Sequence, residues 1–403
     1  MDTMRGVRVL EVAEHTFVPA ASAVLSDWGA DVIKVEHAER GDAMRGLAQT
    51  GVLDLSKGVH VLLEHSNRGK RSIGLDLTKP GGLDVLYAIA KTADVFLTNK
   101  LPRQLDNLKI DEATIRQHNP DIIYVRGTAF GPKGPHKDRG GYDMTGFWCR
   151  AGCADAATAE GASLAMQPAP AFGDSIGGMT IAGGIAAALF RRERTGEAGS
   201  VDVSLLGTGA WAMSAAIALS LQHGVPFQPA RMKRAVMNPL SAAYRTSDDR
   251  FISLVMLQAF AYWPDFCAHI DRADLISDAR FDSHTNLTGN GVEAQEIIQG
   301  VIEKQPLPYW IEKFETLKGQ WTVVQNTIEV AEDEQVRANG YMVSTETAEG
   351  VSFELVSAPV QFDGEPGRTS RAPEFNEHAD EILEEIGIDP DRAIQLRVDG
   401  ALA

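Results

Sequence analysis

Short β-branched runs alternate with helix-length apolar segments through the first third of this chain. Val7-Arg8-Val9-Leu10-Glu11-Val12 reads as a strand. Pro19 to Gly29 reads as a helix, with Pro in its first turn and Gly at its end. Asp31-Val32-Ile33-Lys34-Val35-Glu36 predicts a second strand and Arg71 to Leu77 a third. Pro80 to Thr92 predicts a helix, Asp94 to Thr98 a fourth strand and Ile122 to Arg126 a further one. Strands and helices alternating at these lengths predict an α/β fold, a parallel sheet covered by helices. Ligands of such sheets sit beyond the carboxyl ends of the strands. No G-x-G-x-x-G follows the first strand, so a dinucleotide such as NAD has no motif support.

The chain is 403 residues long, which suits two or more lobes. A Pro-bearing linker from Gly224 to Pro239 precedes a change of texture. Beyond it lie aromatic-rich helical segments such as Phe260-Ala261-Tyr262-Trp263. We therefore expect a large domain over 1–223, a small domain with its linkers over 224–330, and a C-terminal segment over 331–403. The tail ends in an acidic helix near 377–387. The net charge of −17 disfavours nucleic acid or an anionic membrane as partner. It leaves room for a local basic pocket. The longest apolar run, Leu205 to Leu221, contains Gly, Thr and Ser and reads as a buried helix rather than a membrane span. Arg5, Arg8 and Glu11 interrupt any signal-peptide core, so a cytoplasmic location is expected. Cys149, Cys153 and Cys267 make neither a disulfide framework nor a zinc spacing, so no metal is expected and the thiols read as buried and free.

Gly173-Asp174-Ser175-Ile176-Gly177-Gly178 places one carboxylate at the mouth of an apolar, small-residue helix running to Phe190. Helix-start N–H groups stabilise negative charge, and flanking glycines leave the backbone open to a ligand. Such a carboxylate can attack an acyl group while neighbouring N–H groups, those of Gly177 and Gly178, hold the oxyanion. The other reading of these six residues is an Asp N-cap on a structural helix.

Basic residues cluster in spite of the acidic total. Arg40 and Arg45 follow the second strand, Arg68, Lys70 and Arg71 precede the third, and Lys100 and Arg103 follow the fourth. On a parallel sheet these loops are expected to converge on one rim, where Lys and Arg suit phosphate groups. Singly, each reads equally well as solvated surface charge. Gly140-Gly141-Tyr142-Asp143 offers a Tyr that could bond a substrate or anchor a loop. His15, after the first strand, sits where ligand loops begin. Asp143 and Asp202 have no visible partner.

These pieces together resemble the class III CoA-transferase family, also called CaiB/BaiF. It includes formyl-CoA, carnitine and bile-acid CoA-transferases and the related α-methylacyl-CoA racemases. Leu25-Ser26-Asp27-Trp28-Gly29-Ala30-Asp31-Val32-Ile33-Lys34-Val35-Glu36 looks like the family's "LGADVIKVE" signature, followed by Gly41-Asp42 and Arg45. Asn67-Arg68-Gly69-Lys70-Arg71-Ser72-Ile73 looks like its "NRGKRSI" signature. Asp94 to Asn99, the Gly173-Asp174 helix, Arg194-Thr195-Gly196-Glu197 and Arg371-Ala372-Pro373 complete the ordered set.

The resemblance implies a Rossmann-like large domain, a smaller inserted α+β domain and an interlocked homodimer. It implies an acyl-CoA donor, a carboxylic acid acceptor and coenzyme A as the group moved. Asp174 then matches the catalytic carboxylate, which passes through a mixed anhydride and an aspartyl-CoA thioester. His15, Thr16 and His37 fall where the family contacts CoA, with Lys70, Asn99 and Leu108 beside them. Arg71, Lys100 and Arg103 are added from charge alone, and Tyr142 as a substrate or oxyanion contact. Racemases pair the aspartate with a histidine where this chain has Tyr142, and a tyrosine of pKa about 10 is a poor base at neutral pH. That favours the transferase. An acyl-CoA racemase using Asp174 as base, and a non-catalytic acyl-CoA-binding protein, are the alternatives.

Overall fold

The protein, seen in a computed structural model that describes residues 2–50, 58–230 and 237–403, divides into two compact units. One comprises residues 1–231 with 334–403, the other residues 232–333. The large unit begins β1 (Arg8–Val12), α1 (Phe17–Asp27), β2 (Asp31–His37), α2 (Val61–Asn67), β3 (Arg71–Leu75) and α3 (Pro80–Ala90). It continues β4 (Val95–Thr98), α4 (Pro102–Asn107), α5 (Glu112–His118) and β5 (Ile123–Thr128). A π-helical turn over Met144–Cys149 leads to α6 (Cys153–Ala157), α7 (Phe172–Thr195), β6 (Ser200–Ser204), α8 (Leu205–Ala212) and α9 (Ser214–His223).

The six strands form one sheet in the order β3-β2-β1-β4-β5-β6, every neighbouring pair parallel. Chain order reverses between β1 and β4, so the ligand crevice of such a sheet opens at their carboxyl ends. Side chains alternate between its faces. Leu10, Val12, Ile33, Ile73 and Phe96 pack with α3 residues Val85, Leu86 and Ile89 in one core. Val9, Val32, Val95, Leu97 and Val125 pack with Val18, Ala21 and Leu25 of α1 and Ile181, Ala182 and Ile185 of α7 in the other.

Glycines let α1 and α7 approach closely. A Cβ on Gly177 would lie 2.3 Å from the Phe17 ring, and one on Gly178 would lie 2.8 Å from Ala20 Cβ and 3.1 Å from the Ala21 backbone nitrogen. Those two glycines, expected to hold an oxyanion, are instead the seam between two helices. They lie far enough into α7 for their N–H groups to bond carbonyls four residues back.

The second unit has an antiparallel sheet of β7 (Ala243–Arg245), β8 (Phe251–Leu254) and, after α10 (Ala259–His269), α11 (His284–Gly289), α12 (Gly291–Ile302) and α13 (Leu307–Lys313), β9 (Trp321–Val323). α14 (Thr327–Glu332) follows. Trp263, Phe266, Phe281, Trp310 and Phe314 fill its own core.

The chain then re-enters the large unit as α15 (Glu334–Ala338), the β10 (Met342–Glu346) and β11 (Ser352–Val356) hairpin, α16 (Ala379–Glu385) and α17 (Pro390–Val398). This segment covers the outer edge of β3. Asn376 accepts from Gly74 N–H at 2.8 Å and donates to Ala403 O at 3.0 Å, while Ala403 N–H donates to Gly74 O at 3.0 Å.

Several expected features differ. The run Leu205 to Leu221 is two helices, α8 and α9, bent by 67°. α7 starts earlier and ends later than expected and spans 24 residues. Cys153 and Cys267 are buried, but Cys149 is exposed. Residues 231–236 of the expected linker lie outside the described residues.

The α1–α7 seam predicts that Gly178→Val destabilises the protein by about 1–3 kcal/mol, because backbone on the facing helix cannot yield. Gly183→Ala, whose new Cβ meets nothing within 4 Å, should be neutral or stabilising by about 0.5–1 kcal/mol. Denaturant midpoints of the two variants check this, and equal midpoints would refute the seam.

Candidate active site

Charged residues inside the sheet set the floor of the site. Glu11 and Lys34 stand on buried strands and are fully buried. Lys34 Nζ bonds Glu11 Oε1 at 2.6 Å and Asp42 Oδ2 at 2.7 Å, and Lys70 Nζ bonds Glu11 Oε2 at 2.8 Å. Burial alone would raise the Glu11 carboxyl, yet the two lysines hold it below the usual carboxylate range. Burial likewise opposes the Lys34 charge, and Asp42 and Glu11 more than offset it. Breaking one partner of such a cluster strands a buried charge, so the set holds together.

This cluster reaches the β1–α1 loop through Asp42. Its Oδ1 accepts from His15 N–H at 3.0 Å and from Met44 N–H at 2.8 Å. His15 has a φ of 67°, in the left-handed region that is strained for a residue with a side chain. The bond to Asp42 fixes that conformation, and the His15 ring then meets Tyr142 edge to face at 5.4 Å. Next to it, Asn99 clamps the same loop: its Oδ1 accepts from Glu14 N–H at 3.2 Å and its amide donates to Glu14 O at 2.6 Å.

Two cavities open along the carboxyl rim. The first, about 510 Å³, is lined by His15, Asn99, Lys100, Tyr142, Arg139 and Asp174 among others. The second, about 360 Å³, lies beyond β1, β2 and β3 and is lined by His37, Arg40, Leu75, Asn107 and Leu108 among others. Glu14, Lys100 and Gln104 border both, so the cavities adjoin. Lys100 Nζ is paired with Glu14, and Arg40 reaches Glu14 at 3.4 Å.

Asp174 is the third residue of α7, not its cap; the cap position is Ala171, itself left-handed at φ 58°. The cap carboxylate comes from elsewhere. Asp143 Oδ1 and Oδ2 accept from Gly173 N–H at 3.2 and 3.1 Å, and the nearby Asp174 N–H also steadies the Asp143 charge. Gly173 has no Cβ because Phe147 and Asp143 fill that space. Burial, and then the charge of Asp143, push the Asp174 carboxyl up to about 7. On the far side Ser175 Oγ donates to Ala171 O at 2.9 Å and lies 3.0 Å from His65 Nε2. Burial, then Arg68, push that imidazole down to about 4, so it is neutral at physiological pH.

The structure thus brings Asp174, Tyr142, His15, Asn99 and Lys100 to one cavity and His37, Leu108 and Lys100 to its neighbour. Other expected residues lie elsewhere. Lys70 is locked in the buried cluster and reaches no cavity of the rim. Arg71 begins β3, at the opposite end of the sheet, and binds Asp31, Glu381 and Glu385. A residue that precedes a parallel strand faces away from the ligand rim, which the grouping of basic residues overlooked. Arg103 is exposed on α4 and lines neither cavity. Thr16 is buried at the start of α1. Sequence reasoning missed Glu14, Gln104, Arg139 and His65. Among the described residues no group of three or more His, Cys, Asp or Glu could hold a metal ion.

The CoA-transferase family III model matches residues 4–379. The chain is 28% identical over 390 residues, 96% of each protein, to the (R)-2-hydroxy-4-methylpentanoate CoA-transferase of Clostridioides difficile. It is 30% identical over 387 residues to the cinnamoyl-CoA:phenyllactate CoA-transferase of Clostridium sporogenes, covering 95% of this chain and 93% of that one. A crystal structure of a CaiB/BaiF family protein from Brucella suis matches with a TM-score of 0.80 and 25% identity, over 96% of this chain and 100% of that one.

The Asp174 carboxyl carries a stability consequence. Its pKa lies higher folded than unfolded, so between about pH 4 and about pH 7 the folded protein binds more protons. Stability is therefore lost as pH rises through that window, with a ceiling of about 4 kcal/mol. Asp174→Asn should raise Tm above pH 7.5, by an amount that shrinks towards zero near pH 4. Thermal melts across that range check it; a variant less stable than the parent at pH 8 would contradict it.

Proposed function

The chain belongs to CoA-transferase family III and is an enzyme of that class, and we propose that it moves CoA from an acyl-CoA donor to a free carboxylic acid through Asp174. The observation that carries this reading is a half-buried carboxylate with no cation partner among the described residues, lining a cavity at the carboxyl ends of a parallel sheet. The buried carboxylates Glu11, Glu36 and Asp42 each have a Lys or Arg partner; Asp174 has none among the described residues.

An Asp174 carboxylate oxygen attacks the thioester carbonyl carbon. The C–S bond breaks, CoA thiolate leaves with the electron pair, and a mixed anhydride remains. The thiolate then attacks the aspartyl carbonyl and releases the first acid as its carboxylate. An acceptor carboxylate attacks the resulting aspartyl-CoA thioester, expelling thiolate again. Thiolate attack on the second anhydride gives the new acyl-CoA and restores Asp174.

The nucleotide end of CoA takes the cavity over β1–β3, against His37, Arg40 and Leu108. The pantetheine arm passes Glu14, Lys100 and Gln104 to reach Asp174. The adjoining cavities support this path, and Arg40 and Lys100 are the cations best placed for phosphate oxygens. Tyr142, on the acyl cavity, bonds the substrate or the developing oxyanion. The relatives' names put branched-chain and aryl 2-hydroxy acids first in an acceptor screen.

The working unit in this reading is an interlocked homodimer in the cytoplasm. α9 buries none of its residues in this chain, and Trp211 and Leu221 are each 81% exposed, which is more apolar surface than a lone subunit keeps. Sedimentation should give twice the chain mass of 43.5 kDa.

Incubating the protein with acyl-CoAs and no acceptor should yield a CoA-sized adduct by intact mass, mapped to the peptide that holds Asp174. Asp174→Ala should abolish the adduct and lower transfer by at least about a thousandfold. Deuterium exchange at the donor α-carbon without adduct would point to proton transfer instead.

A further inference from the structure

Two carboxylates share the mouth of α7, and the backbone divides its favours unequally between them. The Asp143 side chain, 5% exposed, receives the N–H of Gly173 and the amide of Gln167 at 3.1 Å, and the nearby Asp174 N–H also steadies its charge. It has no cation partner among the described residues. Asp174 stands at the third helical position, where N–H groups and the helix dipole would ordinarily steady a negative charge. Those groups are already engaged.

We propose that Asp143 is a positioning residue for the transfer reaction: it takes the Gly173 N–H at the mouth of α7 for itself, and its negative charge favours the acylated, uncharged form of Asp174 over the free carboxylate. The inference rests on Asp174 being the nucleophile. Its physical basis is that acylation, like protonation, removes the charge from Asp174. Whatever penalises the carboxylate against the acid also penalises it against the anhydride and the thioester. When the carboxylate oxygen bonds the acyl carbon and the C–S bond breaks, the charge leaves on the CoA sulfur, away from Asp143. A carboxylate steadied by N–H bonds would be a weaker nucleophile and would form a higher-energy anhydride.

Other titratable groups face Asp174. Glu14, His15, Lys100, Arg139 and Tyr142 line the same cavity, and His65 approaches from α2 through Ser175. Glu14 and Lys100 are paired with each other, and His65 is neutral. Among them all, Asp143 is the group whose charge acts on the Asp174 carboxyl, after burial. Gly173 makes the arrangement possible, since a Cβ there would stand 2.5 Å from Asp143 Oδ1.

The test is infrared titration of the unliganded protein, following the protonated-carboxyl C=O band that Asp174→Asn removes. Asp143→Asn removes the charge and keeps one oxygen, which in the place of Oδ2 still accepts from Gly173 and Gln167. The midpoint should fall by about one unit or more in that variant; an unmoved midpoint overturns the proposal. Should Asp143→Asn fail to fold, the parent decides alone: a midpoint in the ordinary carboxylate range, near 4, overturns it. With an acyl-CoA donor, Asp143→Asn should slow adduct formation at saturation at least tenfold and leave the half-saturating concentration unchanged. A rise in that concentration with an unchanged limiting rate would mark a binding role and overturn the assignment. Absence of adduct in the parent would defeat the transferase reading while leaving the titration to be read by itself.

Discussion

The contact between α1 and α7 is the constraint on which the site depends. Two consecutive glycines of α7 rest on Phe17 and Ala20, so the helices meet with almost nothing between them. α1 is in turn pinned from below: Lys70 bonds the carbonyl of Pro19 at 2.9 Å, and Ser22 bonds Glu11. α7 therefore inherits its position from an ion cluster inside the sheet. Asp174 lies one turn ahead of the seam and is carried with it to the carboxyl rim. Widening the seam by one methyl group would move the carboxylate relative to His15, on the β1–α1 loop, and Tyr142, on the segment after β5.

Two physical kinds of carboxylate meet around the site. Glu11, Glu36 and Asp42 are buried and answered by Lys34, Lys70 and Arg45, which hold them ionised below the ordinary range. They organise backbone: Asp42 fixes His15, and Glu36 accepts from Asp42 N–H at 2.8 Å. Asp143 and Asp174 are answered by N–H groups or by nothing, and both are raised. The same fold that neutralises charge with such care in the sheet leaves it unresolved at the head of α7. A group held away from its preferred state is where chemistry is most readily driven.

Much of the sheet was legible because parallel strands announce themselves as short β-branched runs, and five of the six strands of the sheet were read from the first 130 residues. β6, Ser200–Ser204, lies beyond them in the chain. Asp174 was legible as one carboxylate among glycines at a helix start. The role of those glycines was not, because a bare Cα serves a ligand and a neighbouring helix equally well, and only the partner decides. Lys70 and Arg71 were misplaced for a topological reason: the sequence shows that they are basic and clustered, not which end of the strand bears the ligand. Asp143 capping α7 joins residues thirty positions apart, and His65 meeting Ser175 joins residues 110 apart. Neither carries any local signal.

The outer edge of β3 is closed by residues near 376 and 403, and the amino end of the same strand is tied to Glu385 through Arg71, 314 positions later. On a ribosome, β3 emerges long before the segment that covers it. For most of the time of synthesis its edge presents unpaired N–H and carbonyl groups, with the residues of an entire second unit still to be made. The nascent chain must keep that edge from pairing with another chain until its own tail arrives. Closure of that edge therefore waits until the residues from Asn376 onward have been made.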